Sequence, residues 1–533
     1  MEQSRSFQMN ILRRAMVGDM FERTAKRIPD ETAFVFRKTR LTYKELNALT
    51  NRAAHALMEI GLKKGDTLAI MSHNCHQMAI LLYACLKSGV RYSPLNFLLR
   101  GKEISYQVNH SDAKVMFVED DLLSEVQKVI EDIPMVQRFG LINLKGVELP
   151  KGWINVDDLI SEKYLETTPE VILNDEDIAT IMYTSGTTAA PKGVALQQRS
   201  YIAMATSFVM YPWKDMQEVD VYLMNIPLYH VGATNLMIAL LSIGGKIVAT
   251  HIPDPMEILK LIQEEKVTYL VWPPTLYSAL LQFPYDKYDL SSLKKLIWFG
   301  GAMPLDVFRK WKKICPQATM GSHLSQTECG TIGTSAWFKD EPLAGNVIGR
   351  VEPFLEIRLV DENGKEVPVG KPGEALFRSP GVMMGYYKDE KSTAETLKDG
   401  WLHTGDIFTK GHDGFYYYFD RKKDMIKTGG ENVACIEVEE TLNSHIDIEI
   451  SAVFATPHHH WGEAVVAAVV PKRESLTEAE VAEFAKDKLA GHKIPKKIIM
   501  MKRTELPVSP TGKILKRVLR EKYQSVFKDA KGK

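Results

Sequence analysis

Residues 181–196 read IMYTSGTTAAPKGVAL. An apolar β-type run leads into a knot of hydroxyls around Gly186, and Pro191, Lys192 and Gly193 close it. The hydroxyls of Thr184, Ser185, Thr187 and Thr188, with backbone N–H groups freed around Gly186, are groups that wrap phosphate oxygens, and Lys192 adds a compact positive charge. A polyanion is the ligand such a turn suits. The Walker A pattern needs Gly-Lys followed directly by Ser or Thr and then a helix. Here Pro191 precedes the lysine and Gly193 follows it, so a P-loop NTPase is the wrong reading. Composition alone leaves a polar surface turn between strands as the alternative.

On both sides of this turn, short β-branched runs at 67–70, 114–118, 269–272 and 295–299 alternate with helix-patterned segments at 42–60, 77–86, 256–265 and 305–314. That alternation predicts α/β layers. From about residue 345 the texture changes to short strands with Gly and Pro turns, as in DENGKEVPVGKPGE, which predicts a smaller β-rich subdomain. Charge density jumps at DRKKDMIKTGGEN, beginning at Asp420. Beyond it, 436–443 and 477–489 read as helices and 448–456 and 464–471 as strands, enough for a small α/β unit. The expected fold is a large N-terminal domain, residues 1–420, and a small mobile C-terminal α/β domain, residues 421–533, with a hinge near Lys423. A chain of 533 residues is too long for one compact core.

The 67 basic and 67 acidic residues balance, so a phosphate site must be local, and nucleic acid is not an expected partner. Five cysteines in no CxxC pair suggest neither a disulfide framework nor a zinc ribbon and fit a reducing cytoplasm. The N-terminal thirty residues mix acids and bases without an apolar segment, against a signal peptide. Residues 221–245 contain no Asp, Glu, Lys or Arg, but Asn225, Pro227, His230, Gly232 and Asn235 interrupt them. They read as a buried strand, a loop and a buried helix, with no integral membrane segment.

TSGTTAAPKG resembles the signature loop of the adenylate-forming ligases, the group of acyl-CoA synthetases, firefly luciferase and nonribosomal-peptide adenylation domains. The likeness continues in the family's order. PLYHVGAT at Pro227 is similar to its aromatic-His gate segment, FGGAMP at Phe299 to the glycine turn beside the nucleotide, and LSQTECG at Leu324 to its aromatic-Gly-x-Thr-Glu motif. GWLHTGD at Gly400 resembles the ribose-binding Asp segment, DRKKDMIKTGGEN the interdomain hinge, and LPVSPTGKILKR at Leu506 the closing-lysine motif.

The resemblance implies an AMP-forming acyl-CoA synthetase: acid and ATP give acyl-AMP and pyrophosphate, then CoA displaces AMP. It implies ATP, Mg²⁺ and coenzyme A as co-substrates, a small carboxylic acid as substrate, and a homodimer as one candidate assembly. Lys513 would bridge the substrate carboxylate and the α-phosphate. Glu328 would hold Mg²⁺, a hard cation that prefers oxygen, with Thr184 as a weaker ligand and Thr327 on the phosphates. Asp406 would accept from the ribose hydroxyls and Arg421 would serve the same sugar or the phosphate. Gly301 and Ala302, with Ser322, His323 and Leu324, would line the adenine slot. Domain rotation about Lys423 would bring Gly429 and Gly430 to a pantetheine channel bordered by His230, with Trp461 and Lys496 on the CoA nucleotide. The bland reading of His230 is a hydrogen-bonded core histidine.

Three positions depart from the family pattern: Ala189 for a loop glycine, Leu324 for the aromatic on adenine, and Ser325 for the glycine after it. These bear on ATP affinity and acyl size, with Ser325 narrowing the acyl pocket floor. Tyr229, Trp272, Leu276, Met303 and Leu324 are expected to line that pocket, which points to an aliphatic or aryl acid of modest size. His458, His459 and His460 are consecutive and cannot all point one way from a strand, so a metal site is not expected there. His73, Cys75 and His76 read as a helix start. The competing readings are a luciferase-like oxygenase, a carrier-protein-acylating enzyme and a catalytically silent nucleotide- or acyl-binding protein.

Overall fold

A computed structural model of the chain describes residues 2–184, 190–210, 220–301, 303–338, 346–508 and 514–527. One sheet has eight strands, in the order Gly385–Tyr386, Lys192–Gln197, Ile178–Thr184, Arg91–Leu95, Thr67–Met71, Ala113–Glu119, Arg138–Ile142 and Ile154–Asn155. Its central strands pair in parallel, and Thr67–Met71 is buried at every position, as a strand covered on both faces must be. Helices between the strands start and stop on local signals. Thr42 opens the helix Tyr43–Glu59 with a capping box, accepting from the Glu45 backbone while the Glu45 carboxylate accepts from Thr42 N at 2.8 Å. The helix His76–Ser88 stops at Gly89, φ +73°.

A second, longer sheet begins with a parallel half: Thr32–Phe36, Lys246–Ala249, Val221–Met224, Tyr269–Trp272, Lys295–Trp298 and Thr319–Leu324. Strand Thr334–Phe338 then turns back antiparallel, and Val347–Val351, Tyr416–Arg421, Trp401–Lys410, Pro372–Arg378 and Glu356–Val360 follow. The stretch expected to form a smaller β-rich subdomain is the antiparallel half, hydrogen-bonded to the parallel half and extending it. All six expected strands and all six expected helices are present, with ends moved by a few residues. Residues 221–245 form the expected strand Val221–Met224, a loop, and the helix Val231–Ile243. Among the described residues, no helix is long and apolar enough to cross a membrane.

The two sheets each contain a strand from which successive connections leave to opposite sides. Val221–Met224 lies between Lys246–Ala249 and Tyr269–Trp272, and Thr67–Met71 between Arg91–Leu95 and Ala113–Glu119. The crevice beyond the carboxyl end of such a strand is where open α/β sheets bind ligands. His230 follows the first of these strands and His73 the second.

The long sheet's strand Tyr416–Arg421 ends just before a five-stranded sheet begins at Ile426. That small sheet comprises Glu431–Val433, Ile426–Thr428, Gly462–Pro471, Ile448–His458 and Lys497–Met500. Alternation along Gly462–Pro471 supplies two cores: Val465, Ala467 and Val469 pack with the helices Cys435–Asn443 and Glu478–Lys488, while Val466, Ala468 and Val470 pack with Leu519 of the helix Lys516–Tyr523. A small α/β unit thus stands beside a large one.

The joint that carries the antiparallel half is tight. Gly349 has φ +94°, and a Cβ there would lie 2.0 Å from the Ser335 carbonyl oxygen. Gly349→Ala adds a left-handed strain of about 1–2 kcal/mol to an overpacking cost of about 1–3 kcal/mol. We expect it to lower the midpoint of the first urea-unfolding transition markedly, whereas Gly364→Ala, at positive φ but with open space around it, should cost only the backbone strain.

Candidate functional site

The hydroxyl-rich turn joins Ile178–Thr184 to Lys192–Gln197, with Thr184 opposite Lys192 in an antiparallel pair. Ser185, Gly186, Thr187, Thr188 and Ala189 lie outside the described residues, as do Ala302 and Lys513. The hairpin is braced from behind. Tyr106 donates to the Pro191 carbonyl at 3.1 Å, Tyr183 donates to that of Gln107 at 3.1 Å, and Tyr387 N donates to that of Gly193 at 2.7 Å.

Thr327 and Glu328 sit on a short turn, Thr327–Cys329, just past the strand Thr319–Leu324 of the other large sheet. The two sheets meet at Tyr386. Its strand, Gly385–Tyr386, pairs with Val194 and Ala195 of the phosphate-loop hairpin, its hydroxyl donates to Glu328 Oε1 at 3.0 Å, and the Lys192 ammonium lies 4.7 Å from its ring centroid. Met383 N also donates to the Glu328 carbonyl at 2.9 Å. Thr184, Lys192, Thr327 and Glu328 are thus gathered on one edge. Burial, reinforced by the Glu328 charge, pushes the Tyr386 hydroxyl well above its ordinary value, so it stays a donor at neutral pH. Hard oxygen donors from Glu328 and Thr184 on the edge of a hydroxyl-rich turn fit a phosphate-bound Mg²⁺. Sequence reasoning missed Tyr386; the signal was the Gly-Tyr-Tyr run after Met384, which offers no charge to attract attention.

Leu324 is half-buried against the main core, and Ser322 and His323 turn their side chains into the sheet. Ser322 Oγ donates to the Val347 carbonyl at 3.1 Å, and His323 spans Glu352 Oε1 at 3.0 Å and the Thr331 carbonyl at 3.1 Å. What Ser322 and His323 present to a nucleotide is backbone. Ser325 has a physical partner: a Cβ at residue 333 would lie 2.8 Å from Ser325 Cβ and 1.9 Å from the Leu324 carbonyl oxygen, and residue 333 is glycine. Glycine at 333 leaves room for the Cβ that Ser325 carries. Gly300, φ +75°, makes the turn that carries exposed Gly301.

The residues expected to line the acyl pocket divide between two cores. Trp272 and Met303 belong to one, with Leu276 packed against it, and Leu324 packs on the other, where Val271 also points. Side chains alternate across a strand, so Val271 and Trp272 cannot share a face. Tyr229 is buried beside His230, ring centroids 4.4 Å apart. His230 Nε2 is buried with no hydrogen-bond partner among the described residues, so the satisfied-core reading fails. Burial pushes this imidazole down to about 4.

Asp406 and Arg421 face each other on neighbouring strands, Nε to Oδ1 at 3.1 Å, and Tyr418 donates to the same carboxylate oxygen at 3.2 Å. The Asp406 charge holds the Arg421 guanidinium further above its already high value. Lys422 Nζ reaches Glu374 at 2.8 Å. After exposed Lys423 the partners change: Arg520, on the C-terminal helix Lys516–Tyr523, holds Asp424 at 2.7 Å and donates to the Lys423 carbonyl at 3.3 Å. Gly429 and Gly430, φ +60° and +86°, form the two-residue turn between Ile426–Thr428 and Glu431–Val433. Two positive φ values in a hairpin demand glycine. Gly429 N donates to the Trp461 carbonyl at 3.0 Å, and the Lys496 ammonium lies 4.8 Å from the Trp461 ring centroid. His458 stacks on Trp461 at 4.4 Å and on His459 at 4.7 Å. Val508 and Ile514, flanking the closing-lysine motif, pair across an antiparallel bridge.

The AMP-binding enzyme family matches residues 21–387, and the AMP-binding enzyme C-terminal domain matches residues 437–513. The chain belongs to the AMP-binding enzyme family. A long-chain-fatty-acid–CoA ligase of Escherichia coli is 31% identical over 538 residues, covering 94% of each chain. A feruloyl-CoA synthase of an Amycolatopsis species is 30% identical over 515 residues, covering 96% of this chain and 100% of that one. Among solved structures, the anthranilate CoA ligase AuaEII with anthranoyl-AMP superposes with a TM-score of 0.87 at 25% identity, covering 96% of this chain and 98% of that one. ATP-bound MatB from Rhodopseudomonas palustris gives 0.85 at 26% identity, covering 96% and 99%. The acyl-CoA ligases of this family join an acid to CoA through an acyl-AMP, with ATP, Mg²⁺ and CoA as co-substrates.

Tyr386→Phe removes the donor to Glu328 and should slow pyrophosphate exchange about tenfold, equivalent to about 1.4 kcal/mol, with folding intact; an unchanged rate would mean that the hydroxyl does not orient the carboxylate. Because His230 is neutral well above pH 4, thioester formation from supplied acyl-AMP should show the same apparent ionisations between about pH 6 and 8 in the wild type and in His230→Gln. An ionisation near 6.5 that disappears in the variant would show the imidazole titrating normally.

Proposed function

We propose that this chain is an AMP-forming acyl-CoA synthetase whose substrate is a monocarboxylic acid with an apolar body, aliphatic or aryl. The observation that carries the reading is the single edge on which Thr184, Lys192, Tyr386 and Glu328 meet. It suits a triphosphate and its metal, and Asp406 with Arg421 suits the ribose beyond it. The uncharged stretch 221–245 behind His230 supports an apolar acyl group, and relatives that act on long-chain fatty acids and on ferulate are consistent with it. Five free, buried cysteines fit a cytoplasmic enzyme.

A carboxylate oxygen attacks the α-phosphorus of ATP, and the bond to pyrophosphate breaks. Two anions must meet for this to happen, so positive charge has to lie between them. Lys513 supplies it from the motif whose ends meet at Val508 and Ile514. Preorganised charge of this kind is worth on the order of 3 kcal/mol, about 10²-fold in rate. In the second step the CoA sulfur attacks the acyl carbon and the bond to AMP breaks. An imidazole held near 4 is a poor base at neutral pH, so His230 borders the thiol's route rather than deprotonating it.

The small domain turns between the steps. Ion pairs from Arg421 and Lys422 belong to the large side and that from Asp424 to the small side, which leaves Lys423 as the pivot. Turning withdraws Lys513 and presents Gly429, Gly430, Trp461 and Lys496 to CoA.

A screen of carboxylic acids by pyrophosphate release, with and without CoA, tests the reading; an enzyme given Mg²⁺, ATP and a broad acid panel that forms no AMP overturns it. Lys513→Ala should lose acyl-AMP formation by about 10²-fold or more yet still convert supplied acyl-AMP to thioester. Equal loss in both half-reactions would count against the assignment.

A further inference from the structure

We propose that His73, Glu119 and His251 form a binding site for one divalent transition-metal ion of the zinc or cobalt kind. The donor atoms, His73 Nδ1, a Glu119 carboxylate oxygen and His251 Nε2, lie within 4.8 Å of one another. They come from three separated segments. His73 follows the strand Thr67–Met71, Glu119 ends Ala113–Glu119, and His251 follows Lys246–Ala249 of the other large sheet. The site therefore occupies the crevice at the first sheet's own switch strand, where a ligand is expected on topological grounds.

The arrangement is built rather than superficial. The Glu119 side chain has no exposed surface, while the two imidazoles keep 11% and 12% of theirs. Ser72 Oγ and His73 N donate to Glu119 Oε2 at 3.0 and 2.7 Å and fix the carboxylate's direction, the support that metal-binding carboxylates need. His73 Nδ1 then lies 3.1 Å from one carboxylate oxygen and His251 Nε2 2.6 Å from the other. The two rings stand 4.7 Å apart. One dication satisfies a buried carboxylate and two neutral imidazoles together.

Two nitrogens and one oxygen suit zinc or cobalt, whereas Mg²⁺ demands oxygen, so this site is distinct from the metal that accompanies ATP. Three protein ligands leave a fourth position for water. The neighbouring residues that first draw attention drop out: Cys75 Sγ lies 3.6 Å from Ser72 Oγ, and the His76 ring packs near Phe36 at 5.9 Å.

An ion here would clamp the two large sheets together. It would also stiffen a wall of rings, because Phe97 lies 4.2 Å from His73 and 5.4 Å from Tyr229, which neighbours His230.

The test is equilibrium dialysis of chelator-treated full-length protein against Co²⁺, with the bound ion counted by mass spectrometry and its ligand-field absorption recorded. The wild type should hold one equivalent that His251→Gln and Glu119→Gln each remove or weaken by about tenfold or more. Zn²⁺ should raise the melting temperature of the wild type but not of His251→Gln, and circular dichroism of metal-free proteins reports whether each variant folds. A wild type that binds no ion, or binding that is unchanged in a folded His251→Gln protein, overturns the proposal.

Discussion

Much of this molecule depends on one hydrogen bond between two sheets. Glu328 projects from the end of a strand in the long sheet, whereas the hydroxyl-rich turn belongs to the eight-stranded sheet. Neither group can serve a triphosphate alone, because the metal and the phosphates must be met together. The Tyr386 hydroxyl reaches Glu328 Oε1 from a two-residue strand that is itself the edge of the hairpin carrying Lys192. The close approach of the Cys329–Gly330 turn to Gly381 completes the stitch: a Cβ at Gly330 would lie 2.6 Å from the Gly381 carbonyl oxygen. Backbone packed that closely cannot slide, so the spacing between carboxylate and phosphate turn is set before any ligand arrives.

A rigid edge of this kind makes a movable one necessary. On the proposed reading, a pocket closed tightly enough to place a lysine between two anions has no room for a thiol, and the small five-stranded unit would resolve the conflict by turning. Its core residues are its own, and the connection to the long sheet runs through the few residues after Asp420. Asp420 is buried and accepts from Cys435 N, where the small unit's first helix begins, and burial pushes its carboxyl up to about 6. An acid raised in this way costs stability as pH rises through 6, because the folded state then holds an ion the unfolded chain carries freely. The backbone donors of Arg421 and Cys435 reduce that cost.

How much of this was readable in the residues follows from the range of the forces involved. Strands such as Tyr269–Trp272 and helices such as Leu305–Ile314 are local matters of periodicity and capping, and they were legible. Asp406 and Arg421 were singled out by their motifs, and the structure pairs them across adjacent strands although they stand fifteen residues apart in the chain. Tyr386 was not legible, because its role is conferred by Glu328, 58 residues away, and an uncharged tyrosine in a turn carries no mark of that partner. Glu119 and His251 were missed for the same reason. His73 was read with Cys75 and His76 as a helix start, and a helix does begin at His76, so nothing nearby in the chain marked Glu119 and His251 as its neighbours.

The residues expected to line the acyl pocket show how a strand divides what a motif groups together. Segments were identified by their motif, but a segment on a strand offers two faces, and only one can border the substrate. Trp272 sits with Trp298, Tyr277 and Met303 in a packed core, whereas Val271 and Ile297 point the other way, toward the helix Val231–Ile243. The motif's tryptophan therefore faces a different core from the valine beside it. If the substrate meets apolar walls, as the proposed function has it, selection rests on fit, because an apolar wall distinguishes one methylene by only about 1–3 kcal/mol. An acyl-CoA synthetase of the proposed kind would then sort its acids by chain length and ring width rather than by a specific hydrogen bond.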